Sequence, residues 1–184
     1  MTTLNSGVFA TPQAAVPLAF DPDLVRKYDQ AGPRYTSYPT AVQFSDRFGV
    51  NEYRAVAVAS NQDPIPRPLS LYVHIPFCSS PCFYCGCTKV ITRNHEKAAA
   101  YLYRLHREIE LQSQIYDRDR EVEQLHFGGG TPTFLTSLEI DRLIEKLDSH
   151  FKLSRDPSRE YSIELDPRTI TRDTLRDLAQ VGFN

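Results

Sequence analysis

Apolar and polar side chains alternate over residues 71–75, with Leu71, Val73 and Ile75 on one side and Tyr72 and His74 on the other. A period of two predicts a strand, and Pro76 predicts its end, because proline brings no amide hydrogen to a central ladder. Over residues 95–116 the period lengthens: Leu102, Leu105, Ile109 and Tyr116 recur at helical spacing and predict one apolar stripe. A second strand is predicted over 122–127, running into Gly128, Gly129 and Gly130. Thr136 with Glu139 three residues later predicts a capped helix start, and Leu143, Ile144, Leu147 and Phe151 continue its stripe. A third strand is predicted over 161–166, then a helix over about 171–180 that Gly182 terminates.

Three consecutive strand-then-helix units imply parallel strands joined by right-handed crossovers, hence an α/β fold. Both faces of a doubly wound sheet are covered, and its strands read as continuous apolar runs. Here each strand keeps a polar face: Tyr72 and His74, Gln124 and His126, then Ser162, Glu164 and Asp166. Polar faces lining a shared interior favour an open, TIM-like parallel β/α barrel, with its chemistry at the C-terminal strand ends. Three units cannot close a barrel, so the chain is expected to be an N-terminal fragment of a longer protein. Upstream of residue 69 the sequence reads as irregular, spotted by Pro33, Pro39, Pro64, Pro66 and Pro68. The expected organisation is a flexible tail over 1–30, an N-terminal segment over the active site at 31–68, and the barrel portion at 69–184.

Composition narrows the function classes. The 184 residues are 41% hydrophobic and 24% charged, ordinary for a globular protein. A net charge of -2 supplies no basic field for nucleic acid or an anionic membrane, and no apolar run is long enough to span a bilayer. Residues 1–20 lack the basic and apolar regions of a secretory leader, so a cytoplasmic location is expected. All four cysteines fall between positions 78 and 87, too close together to staple a secreted fold.

Those cysteines carry the candidate chemistry. Cys78, Cys82 and Cys85 are spaced C-x3-C-x2-C on the loop after the first strand, with Cys87 two positions on. Three thiolates on one short loop can cap three irons of a four-iron cluster and leave the fourth open. A tetrahedral zinc site is the competing reading, although zinc usually joins two cysteine pairs across an intervening segment. Gly129, Gly130 and Thr131, at a strand-to-helix turn, allow close backbone approach and can offer amide donors to an anion; a plain tight turn is the alternative.

The loop, with Tyr84 before the third cysteine, resembles that of radical S-adenosylmethionine enzymes, and Gly129-Gly130-Thr131 resembles their glycine-rich element. Within that superfamily the chain resembles the oxygen-independent coproporphyrinogen III oxidases. The match runs from Arg34-Tyr35-Thr36-Ser37-Tyr38-Pro39-Thr40-Ala41 through Leu71 to Cys87, then His126 to Thr133 and Glu164-Leu165-Asp166-Pro167. Cys85-Gly86-Cys87 separates it from the related heme-chaperone branch, which typically has no second cysteine there.

The resemblance implies a [4Fe-4S] cluster on Cys78, Cys82 and Cys85. It implies two molecules of S-adenosyl-L-methionine, one contacting Tyr72, Gly129 and Glu164, the other Tyr84, Gly130 and Thr131. It implies that a 5'-deoxyadenosyl radical converts coproporphyrinogen III propionates to vinyls, giving protoporphyrinogen IX in heme biosynthesis. An electron donor that the sequence does not identify would be needed, and a monomer is expected. Cys87 resembles a cysteine that does not ligate the cluster, and no side chain is assigned a directly catalytic role. His74 and His126 read more readily as hydrogen-bonded structural residues. Asp166 can simply shape the turn before Pro167. Arg34 suits recognition of a tetrapyrrole carboxylate. A heme chaperone on the same scaffold and a zinc-stabilised structural domain are the alternatives.

Overall fold

A computed structural model describes residues 20–29, 40–83 and 85–184. Chain contacts divide it into two compact units, residues 1–45 and 46–184. In the first, helix α1 (Pro22–Tyr28) lies within the segment read as a tail. Its start is capped by Asp21, whose carboxylate accepts from the Asp23 and Leu24 amides at 2.9 and 3.1 Å. Most of the Arg34 to Ala41 segment, and Tyr84, lie outside the described residues.

The second unit is a mixed α/β domain built on a parallel sheet. Strand β1 (Leu69–Ile75) pairs with β4 (Glu121–Gly129), and β4 pairs on its other side with β5 (Lys152–Leu153) and then β6 (Glu160–Ile163), all parallel. The register lines residues up in rows across the sheet. Leu71, Leu125 and Tyr161 share one row, and Val73, Phe127 and Ile163 share another. These rows face helices α3 (Glu96–Gln112) and α4 (Ser137–His150). Ala98, Leu102, Leu105 and Ile109 of α3, with Ile140, Leu143 and Leu147 of α4, complete the buried core. The row between them, Tyr72, His126 and Ser162, falls on the opposite, polar face.

The expected helix start at Thr136 is present in both arms. Thr136 Oγ1 accepts from the Glu139 amide at 3.2 Å, and the Glu139 carboxylate accepts from the Thr136 amide at 2.8 Å. Helix α5 (Arg172–Gln180) begins on Thr171 and gives way to Gly182 at φ +113°. Within the second unit, two regions upstream of β4 differ from the sequence reading. The part upstream of residue 69, read as irregular, contains helix α2 (Val50–Ala59), held to α3 where the Tyr53 hydroxyl donates to Gln112 Oε1 at 2.7 Å. The chain also does not leave the sheet direction for good at Pro76. A short parallel pair, β2 (Phe77–Cys78) with β3 (Val90–Ile91), closes the neck of the loop over 79–89. Among the described residues, no helix is long and apolar enough to cross a membrane.

Candidate active site

The loop neck fixes the first cysteine. Val90 donates its amide to Pro76 O at 2.7 Å, Thr92 donates to Cys78 O at 2.9 Å, and Cys78 is buried while Cys82 and Cys87 are exposed. Beneath the loop the glycine run fits against β1. A Cβ added to Gly130 would stand 2.7 Å from Phe77 O and 2.8 Å from Pro76 C and O, so only glycine lets the two backbones approach this closely. Gly129, at φ +113°, occupies the left-handed region that side chains resist, and a Cβ there would also strike the His74 ring.

The amides of this turn are largely spent on the protein itself. Gly130 donates to Ile75 O and Thr131 to Phe77 O, each at 2.8 Å, whereas Gly129 donates to Glu164 Oε2 at 3.2 Å. Close approach, not a set of free amide donors, is therefore the work of Gly130.

Between the loop, the glycine turn and the end of β6 lies a cavity of about 480 Å³. Its walls include all four cysteines, Lys89, Gly129, Gly130, Thr131 and the stretch from Glu164 to Arg168. Of the residues singled out from the sequence, Cys78, Cys82, Cys85, Gly129, Gly130, Thr131 and Glu164 thus meet around one space. Tyr72 stands on the adjoining polar face. Its phenol is raised by partial burial first, then by the negative charge of Glu164 and Cys87.

Two cations in the wall escaped the sequence reading. The Lys89 ammonium beside Cys85 holds that thiol below its ordinary pKa, which favours the thiolate that metals require. Arg168 grips Asp166 with two parallel bonds, Nε to Oδ1 at 2.9 Å and Nη2 to Oδ2 at 2.7 Å, and with the Arg168 backbone amide holds that carboxyl at about 2. The same contacts tie the turn after β6, the shaping role read for Asp166.

The donor set suits an iron-sulfur cluster. Soft sulfur ligands border one cavity, Lys89 offsets their negative charge, and the Thr131 hydroxyl lies 3.6 Å from Cys78 Sγ. Among the described residues, no three His, Cys, Asp or Glu side chains are gathered tightly enough to hold a lone ion.

Residues 72–184 match the Radical SAM superfamily, and the chain belongs to it. The family implies a [4Fe-4S] cluster and S-adenosylmethionine. Within the superfamily, the chain is 48% identical over 167 residues to the oxygen-independent coproporphyrinogen III oxidase of Pseudomonas aeruginosa, an alignment covering 91% of this chain and 36% of that one. It is 44% identical over 150 residues to the protein of the same name from Mannheimia haemolytica, covering 82% of this chain and 98% of that one. Among solved structures, the Escherichia coli coproporphyrinogen III oxidase, described as a radical SAM enzyme, superimposes with a TM-score of 0.72 at 45% identity. That superposition covers 90% of this chain and 35% of the other. The chain therefore spans about a third of the length of the Pseudomonas and Escherichia relatives.

Proposed function

We propose that the intact protein performs the oxygen-independent oxidative decarboxylation of coproporphyrinogen III to protoporphyrinogen IX, a step of heme biosynthesis. The observation that carries this reading is the meeting of Cys78, Cys82 and Cys85 with Gly129, Gly130, Thr131 and Glu164 around one cavity. The names of the relatives supply the substrate. Each reacting propionate loses a hydrogen atom, carbon dioxide and an electron to leave a vinyl group.

In this reading Cys78, Cys82 and Cys85 hold the cluster. When bound, cluster and S-adenosylmethionine supply the 5'-deoxyadenosyl radical that takes the hydrogen. Glu164 offers a carboxylate to donors on the cluster-bound cofactor, Gly129 gives it room, and Tyr72 flanks it. Gly130 and Thr131 border the place of a second S-adenosylmethionine. The β1, β4 and β6 units form the start of an open parallel barrel. The protein works as a monomer in a reducing cytoplasm and draws on a separate electron donor.

The test is anaerobic reconstitution of the intact protein with iron and sulfide, followed by assay on coproporphyrinogen III. Turnover is expected, and Cys82→Ala is expected to lose both iron and turnover. Zinc at full occupancy without sulfide, or retained heme with no turnover, would replace the oxidase reading with a structural domain or a heme chaperone respectively.

A further inference from the structure

We infer that His126 is a positioning residue that aims the Glu164 carboxylate into the cavity, an assignment that rests on the cofactor-binding role proposed for Glu164. His126 is absent from the cavity wall, whereas Glu164 is part of it. The imidazole therefore acts on a ligand through the carboxylate.

Both ring nitrogens are engaged. Nδ1 lies 2.7 Å from Ser162 Oγ, its neighbour in the same sheet row, and Nε2 lies 3.5 Å from Glu164 Oε1. A carboxylate only accepts, so the neutral ring meets it favourably when Nε2 carries the hydrogen; Ser162 then donates to Nδ1. The second carboxylate oxygen takes the Gly129 amide at 3.2 Å. One oxygen is fixed by backbone, the other faced by His126, and the carboxylate has two holders where a lone glutamate would swing.

The ring is itself held in place. Tyr72 stacks on it with centroids 5.7 Å apart and planes 22° from parallel, and the Tyr72 hydroxyl reaches His74 Nδ1 at 3.1 Å. Gly128 leaves the rings uncrowded, since a Cβ there would stand 3.0 Å from His126 Nε2 and from the Tyr72 hydroxyl. The Glu164 and His126 side chains are 51% and 39% exposed, so their pairing contributes little to folding. Its consequence is the direction in which the carboxylate points.

The test uses the full-length protein reconstituted with its cluster. S-adenosylmethionine is titrated while the electron paramagnetic resonance spectrum of the reduced cluster is followed. His126→Phe keeps a ring for Tyr72 to stack on and removes both nitrogens. It is expected to weaken S-adenosylmethionine binding about tenfold, the low end for loss of an orienting partner, with iron content and thermal midpoint unchanged. His126→Gln, which returns one donor, is expected to recover most of the affinity. Unchanged binding in His126→Phe would overturn the inference. Loss of iron or thermal stability alongside affinity would assign His126 to the fold and overturn it as well. Failure of the unsubstituted protein to bind S-adenosylmethionine would instead remove the reading of the cavity, and this inference with it.

Discussion

The two faces of strand β4 are built from alternate residues of one segment and do opposite things. Leu125 and Phe127 are fully buried beneath the helices, while Gln124 and His126 look out on the other side. In-register pairing extends each character across the sheet, giving apolar rows through Leu71 and Val73 and a polar row from Tyr72 through His126 to Ser162. A face that carries the burial cannot spare a polar group. A face relieved of it can hold a hydrogen-bonded cluster whose geometry serves a ligand. Substitutions should therefore divide by face, stability on one and ligand geometry on the other.

The largest effect is expected on the apolar side. Phe127 is completely buried and meets Phe183 edge-on at 5.3 Å between centroids. Phe127→Ala should cost about 3–5 kcal/mol by chemical denaturation of the intact protein. A cost below about 1 kcal/mol would mean that this face does not carry the fold. Next comes Gly130→Ala at the junction between the core and the loop. The atoms that its Cβ would strike belong to the Pro76 and Phe77 backbone, which cannot rotate away like a side-chain tip. A destabilisation of about 1–3 kcal/mol is expected, together with loss of iron, because Phe77 leads directly into Cys78. Retained iron at full stability would show that the loop tolerates a shift of its neck.

What could be read from sequence was what short segments decide for themselves. Leu71, Val73 and Ile75 announce a buried strand face, and Thr136 and Glu139 announce a helix start, because the partners lie within a few residues. The cysteine loop was legible for the same reason. Strand β5 was missed because two residues show no period. Nor does anything near His126 reveal that Ser162 will stand beside it, since that depends on register between distant strands. Lys89 and Arg168 lie on loops, where no periodicity marks a side chain as facing a cavity. The glycines were legible as glycines, but their division of labour was not. Gly128 makes room for rings, Gly129 for His74, and Gly130 for the backbone beneath the cysteines.

The smallest effect is expected on the polar side, at the cavity rim. Asp166 is held at about 2 chiefly by the Arg168 guanidinium and secondly by the Arg168 amide, so its folded value lies below the unfolded one. A depressed carboxyl stabilises the fold at pH above the unfolded value of about 3.9. That contribution is lost as pH falls towards about 2. Arg168→Met removes the guanidinium and keeps the backbone amide. The Asp166 titration, followed by carboxyl carbon chemical shift, should move up towards about 3.9, and the Asp166 share of the stability lost between about pH 4 and about pH 2 should shrink. The stability lost at neutral pH should be small, because Arg168 is exposed and solvent screens the pair. A titration still centred near 2 would assign the depression to the amide alone, leaving Arg168 free to meet an anion in the cavity.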